Sequence, residues 1–147
     1  MADIKKELVD MLNQALQLEH AARIQYLAHA EKVSGPGSEM VINRLKEIAS
    51  DELEHEEKFR EMIGAYLGGV PTMSLAETHD AKDRTDILNV NLEDEKHAID
   101  FYKQVYKKVL ENRDQLQYEF ETLEHELRHV IIDEQEHVSE LTTLLGD

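Results

Sequence analysis

Six residues of this chain could do chemistry together. Glu19, Glu52, His55, Glu95, Glu134 and His137 each interrupt a stripe that is otherwise apolar at helical spacing. Burying a lone carboxylate costs several kcal/mol unless it is paired or bound to a metal. Along the chain the six read Glu, Glu-x-x-His, Glu, Glu-x-x-His, and the i, i+3 spacing sets each Glu beside its His on one helix face. Carboxylates and neutral imidazoles are hard-to-borderline ligands, suited to iron or manganese and able to take zinc, but not Cu(I). If all four Glu ionise, their charge matches that of two divalent ions. Six ligands shared by two ions leave open positions on each. Two redox metals side by side can reduce O2 or peroxide by two electrons.

The elements that must position these residues follow from the stripes and their breakers. Apolar residues at Leu8, Leu12, Ala15, Ala22, Tyr26, Ala30 and Val33 mark a first helix, with Glu19 inside the stripe. Ser34-Gly35-Pro36-Gly37 ends it. Val41, Leu45, Ile48, Phe59, Met62 and Tyr66 mark a second, which carries Glu52 and His55 and ends at Gly68-Gly69-Val70-Pro71. Residues 72–83 have no clear period and are expected to form a crossover, long enough to climb a bundle of about 25–30 Å. A third stripe runs from Leu88 to Val109 around Glu95, and a fourth from Leu123 to Leu145 around Glu134 and His137. The turn between them is expected near Asn112-Arg113-Asp114. The fold class is therefore all-α, a four-helix bundle of two tight antiparallel hairpins joined by a long crossover. An up-down-up-down bundle is the alternative.

Two internal checks support a shared site. Glu19 and Glu52 lie equidistant from Ser34–Gly37, and Glu95 and Glu134 are centred next to Asp114. Each hairpin thus brings its ligands to one height. Glu126 and His129 also form Glu-x-x-His, but their stripe (Glu119, Thr122, Glu126, His129, Asp133) is polar throughout and reads as a solvated face. Glu93 and His97 also lie off the core stripe. The chain carries an internal repeat as well. Glu-x-x-Ala-x-x-x-Tyr occurs from Glu19 to Tyr26 and from Glu95 to Tyr102, and Asp-Glu-x-Glu-His from Asp51 to His55 and from Asp133 to His137. One Glu from each of two helices with Glu-x-x-His from the other two is a known di-iron carboxylate pattern. Asp51 and Asp133, each four residues before a His, are expected to hold that imidazole's tautomer. Tyr26 and Tyr102 lie on the ligand stripes either as core phenols or as partners of the metals, and Tyr26 is the candidate catalytic residue.

Composition narrows the alternatives. At 147 residues the chain is expected to be a single domain over 1–147. It has no cysteine, which removes disulfides, thiolate metal sites and cysteine nucleophiles. A net charge of −16 disfavours nucleic acid and anionic lipid and favours cations. Neither a signal-peptide core nor a bilayer-spanning apolar run is present, so a cytoplasmic location is expected.

The chain resembles the ferritin-like superfamily, most closely its bacterioferritin branch. The resemblance is densest over Leu12–Glu19, Gln25-Tyr26 and Asp51-Glu52-Leu53-Glu54-His55. It implies a ferritin-like bundle with two iron ions, Glu52 and Glu134 bridging them, and Glu19 with His55 and Glu95 with His137 as terminal ligands. It further implies oxidation of Fe(II) with O2 or peroxide, in iron handling and protection from oxidative stress. A rubrerythrin-like peroxide reductase and a metal buffer without fast turnover are the alternatives. Bacterioferritins bind haem through a Met directly after the bridging Glu of the second helix. Leu53 stands there, so haem is not expected. The chain stops ten residues past His137, so a homo-oligomer smaller than a 24-subunit cage, a dimer first, is the expectation.

Overall fold

A computed structural model describes residues 3–146; Met1, Ala2 and Asp147, which the expected domain also spans, lie outside the described residues. Asp3 starts the first helix, its Oδ1 accepting from the backbone N–H groups of Lys5 (3.1 Å) and Lys6 (3.4 Å). Four long helices follow: α1 (Ile4–Ala30), α2 (Ser38–Glu61), α3 (Arg84–Glu111) and α4 (Phe120–Leu145). A wide π-type turn, Met62–Tyr66, prolongs α2. There is no strand among the described residues, and no helix among them is long and apolar enough to cross a membrane. The expected all-α bundle is the observed one.

The first hairpin turns where Gly35 and Gly37 adopt φ of 100° and 78°, a region that side chains avoid. The second departs from the tight turn expected at Asn112–Asp114. Its connection continues to Glu119, with one 3-10 turn over Arg113–Gln115. Leu116 is the reason. It is fully buried, its carbonyl accepts from Phe120 N–H (3.0 Å), and the Arg113 guanidinium sits 4.7 Å from the Phe120 ring centre. An apolar plug, not a glycine, fixes this corner.

α1 is antiparallel to both α2 and α3, so α2 and α3 run in the same direction and the chain must climb the bundle between them. The crossover begins earlier than the expected residue 72, at Leu67, and lies along α1 as a strap. Asn13 grips it twice, donating to Val70 O (3.1 Å) and accepting from Thr72 N–H (2.8 Å). Ala76 N–H reaches Gln17 O (3.0 Å), His79 N–H reaches Gln25 Oε1 (2.6 Å), and Lys32 holds Asp80 (2.8 Å). From Asn13 to Lys32 the strap covers about 28 Å at the helical rise per residue.

The apolar core is in two parts. One gathers Leu8, Leu12, Phe59, Ile63, Val105, Leu116 and Leu127 with their neighbours; the other gathers Tyr26, Val41, Leu45, Ile48, Ile87 and Leu141. The six ligand candidates lie between these parts, capped by apolar packing on both sides.

The strap enters through a close approach. A Cβ on Gly69 would lie 2.6 and 2.7 Å from the two Val9 methyl carbons. Gly69→Ala is expected to lower stability by about 1–3 kcal/mol, as overpacking does, and adding Val9→Ala should recover part of it. Thermal melts of the single and double variants check this; equal melts for Gly69→Ala and the parent would show that the contact yields freely.

Candidate metal centre

Each helix contributes to one cluster: α1 brings Glu19, α2 Glu52 and His55, α3 Glu95, α4 Glu134 and His137. All six are buried, none more than 3% exposed. His55 Nδ1 lies 3.4 Å from Glu19 Oε1, 3.4 Å from Glu52 Oε1 and 3.2 Å from Glu134 Oε1. His137 Nδ1 mirrors it, 3.4 Å from Glu52 Oε1, 3.5 Å from Glu95 Oε1 and 3.2 Å from Glu134 Oε1. The structure brings together every metal-site residue expected from the sequence.

The donor atoms fit a pair of cations. Each of the six side chains keeps one buried atom with no hydrogen-bond partner: Glu19 Oε2, Glu52 Oε1, His55 Nδ1, Glu95 Oε2, Glu134 Oε1 and His137 Nδ1. Buried polar atoms are ordinarily satisfied. Here all six exceptions belong to the cluster. Their ligand atoms form two groups, Glu19, Glu52, His55 and Glu134, and Glu52, Glu95, Glu134 and His137, each within 4.8 Å. Glu52 and Glu134 belong to both, the placement that bridging ligands need.

The outward atoms are held by braces that cross the bundle. His55 Nε2 is 2.9 Å from Asp133 Oδ2, and His137 Nε2 is 2.9 Å from Asp51 Oδ2. This corrects the expected pairing: each Asp serves the His of the facing helix, not the one four residues along its own. Within one helix the i, i+4 pair shares a face, but the inward turn of the imidazole carries its Nε2 to the neighbour. In the neutral imidazole that a cation requires, the Nε2–H donates to the aspartate and Nδ1 is left as the lone pair facing the cluster. The tyrosines cross likewise. Tyr26 OH of α1 donates to Glu95 Oε1 of α3 (2.7 Å), and Tyr102 OH of α3 donates to Glu19 Oε1 of α1 (2.9 Å).

Charge in this cluster is frustrated. Burial, then the Glu134 charge, raises the carboxyls of Glu19, Glu52 and Glu95. For Glu134 the cost of burial is outweighed by its close contacts with His137, His55 and Glu52, and it is held well below the ordinary range. Burial alone would lower the imidazoles, but surrounding carboxylates prevail and both are raised, His137 to about 11. Burial and the same carboxylates hold Tyr26 and Tyr102 protonated, as donors. Protons occupy the cluster where cations would relieve it.

A cavity of about 710 Å³ opens between α1 and α3 and reaches Tyr26, Glu52, Glu95 and Glu134, with Glu77 and His79 of the strap and Asp94 among its lining residues. The off-stripe pairs stay outside: Glu126 faces Lys58 (3.6 Å), and Glu93 and His97 are exposed.

Among the buried polar residues that escaped the sequence reading, Glu56 and Gln25 lie closest to the site's supporting contacts. Glu56, beside His55, is fully buried and held by Arg23 and by Arg60 (2.9 Å), with His20 Nε2 at 3.5 Å. Gln25 donates to Asn91 (3.0 Å) and Asp94 (2.7 Å) while accepting from the strap at His79. In so acidic a chain Glu56 looks like surface, and only the basic residues at Arg23 and Arg60 hinted at a partner.

Comparison with known proteins agrees with this geometry. The profile of the ferritin-like domain family matches residues 9–147. The bacterial ferritin of Neisseria meningitidis serogroup B is 34% identical over 107 residues, 73% of this chain and 69% of that protein. A crystal structure of a ferritin-like, diiron-carboxylate protein from Bacillus anthracis superposes with a TM-score of 0.90 at 29% identity, covering 99% of this chain and 100% of that one. The dodecameric thioferritin of Bacteroides fragilis, a bacterioferritin-related protein, superposes with a TM-score of 0.84 at 27% identity, covering 99% and 87%. With its four helices, its crossover and its buried carboxylate–histidine cluster, the chain belongs to the ferritin-like domain family.

Proposed function

We propose that this protein binds two iron ions at the cluster and oxidises Fe(II) with O2 or peroxide, serving iron handling and protection from oxidative stress. The observation that carries the proposal is the set of six bare, buried donor atoms, one per residue, in two groups that share Glu52 and Glu134. Two iron ions supply a two-electron couple toward O2 or peroxide. The chain's own residues do the rest. Glu52 and Glu134, common to both groups, would hold the pair together, and Glu19 with His55 and Glu95 with His137 would complete each half. Asp133 and Asp51 fix the imidazoles with Nδ1 facing inward. Tyr26 is a positioning residue whose phenol orients Glu95 on the cavity side. The cavity offers a route for Fe(II) and oxidant, and its acidic lining favours the cation. We further propose self-association, as a dimer first. Ile24, Leu27 and Leu53 on α1 and α2 are exposed apolar side chains that a second copy would cover. Sedimentation should report a dimer; a shell of roughly 24 chains, the cage size of storage assemblies, would refute that part.

Anaerobic titration with Fe(II), then exposure to O2 or peroxide, tests the whole. Two ions per chain and a new near-ultraviolet band on oxidation are expected. Two bound ions without oxidation would leave a metal buffer instead. Glu52→Ala and Glu134→Ala should each empty both positions, since one side chain serves both ions, whereas Glu126→Ala should leave the pair intact. Loss of metal with Glu126→Ala would overturn the assignment of helix faces.

Tyr26→Phe removes the hydrogen bond to Glu95 and leaves the ring. Its oxidation rate is expected to fall about 10-fold or more, the usual cost of losing a ligand-orienting partner, with two ions still bound. Stopped-flow rates beside metal analysis separate the two; an unchanged rate would remove Tyr26 from the chemistry.

The raised carboxyls of Glu19, Glu52 and Glu95 and the raised imidazoles bind more protons folded than unfolded. Their stabilisation is therefore present in acid and is lost as pH rises through the folded values. The metal-free protein should melt at a lower temperature at pH 8 than at pH 5.5, and metal loading should release protons and reverse the trend. Calorimetry in buffers of different ionisation enthalpy counts the protons; none released would contradict a protonated cluster.

A further inference from the structure

We propose that His125 and His129 form a second metal site, on the outer face of α4, which takes one borderline divalent cation of the zinc, nickel and copper class. The residues read His125-Glu126-Leu127-Arg128-His129, so the two imidazoles stand one helical turn apart on one face. Their ring centres are 4.2 Å apart with planes inclined at 36°. His125 is exposed and His129 half-buried, so neither belongs to the core. Two imidazoles bound at zinc–nitrogen distances place their centres about 5 Å apart, within a small χ rotation of what is observed.

Ligand type separates this site from the buried one. Its protein donors are two imidazole nitrogens, and no third His, Asp or Glu joins the pair among the described residues. Water must complete the coordination. Such a pair favours copper, nickel and zinc over iron and manganese. The buried cluster, with four carboxylates, carries the opposite bias toward harder ions. The chain's charge of −16 raises the local concentration of any divalent cation.

The same pentapeptide spacing, H-E-x-x-H, serves catalytic zinc elsewhere, where the Glu acts as base. Here Glu126 faces Lys58 (3.6 Å) on the side toward α2. The site is therefore one of binding, not hydrolysis.

The test is equilibrium dialysis of the metal-free, full-length protein against zinc, comparing the parent with His125→Gln, His129→Gln and His97→Gln. His97 is an exposed histidine whose partner at i−4 is Glu93, not a second histidine (3.9 Å). His125→Gln and His129→Gln should each bind one equivalent fewer than the parent, and His97→Gln the same number. That difference does not depend on how many ions the buried cluster takes, so failure of the di-iron proposal would leave it readable. Equal zinc in the parent and both variants overturns the site. Loss of an equivalent with His97→Gln also overturns it, because single surface histidines would then suffice. In the parent, zinc should shift the ring-nitrogen NMR signals of His125 and His129 together; a shift of one alone would refute the chelate.

Discussion

The structure depends on a debt of desolvation. Four carboxylates and two imidazoles are set in one layer, away from water, between two blocks of aliphatic and aromatic packing. Each uncompensated ionised group there costs several kcal/mol. Protonation relieves part of this, which is why three of the carboxyls are raised and one takes the charge. The remainder is visible as six donor atoms that meet no partner. A fold that keeps such a layer must hold it rigidly, since any carboxylate able to swing outward would do so.

The rigidity comes from braces between hairpins. The tyrosine bonds tie α1 to α3, and the aspartate–histidine bonds tie α2 to α4. The aspartate bonds occupy each imidazole's Nε2 and leave Nδ1 toward the cluster, and each tyrosine bond occupies one oxygen of a ligand carboxylate. The Asp133 carboxyl is itself held low by its His55 partner and so stays charged as an acceptor. Orientation and satisfaction are achieved by the same contacts, and both repeat about an approximate two-fold axis.

The sequence made much of this legible. Glycine and proline marked the first hairpin and the end of α2, and the 3–4 periodicity exposed Glu19, Glu52, His55, Glu95, Glu134 and His137 as polar residues on apolar faces. Equal distances from Ser34–Gly37 anticipated that Glu19 and Glu52 share a height. What could not be read was decided by contacts between helices. The exchange of Asp51 and Asp133 between histidines depends on how far apart α2 and α4 sit, which periodicity does not carry. Leu116 is an ordinary leucine in sequence, yet it sets the length of the second turn. The strap's path along α1 rests on single polar residues, Asn13 and Gln25, with no pattern of their own.

The crossed braces make the two hairpins depend on each other. The Glu19, Glu52, His55 and Glu134 group takes three members from the first hairpin and one from the second, and the Glu52, Glu95, Glu134 and His137 group reverses those shares. Neither hairpin owns a complete half, and each supplies the same kinds of side chain at the same heights. Two copies of one helical hairpin meeting about the same axis would build the whole cluster. The strap links the two hairpins covalently, is bonded along α1, and lends Glu77 and His79 to the cavity wall. The repeat of Asp-Glu-x-Glu-His on α2 and α4 writes this equivalence into the sequence, and either hairpin, changing alone, alters both halves of the cluster.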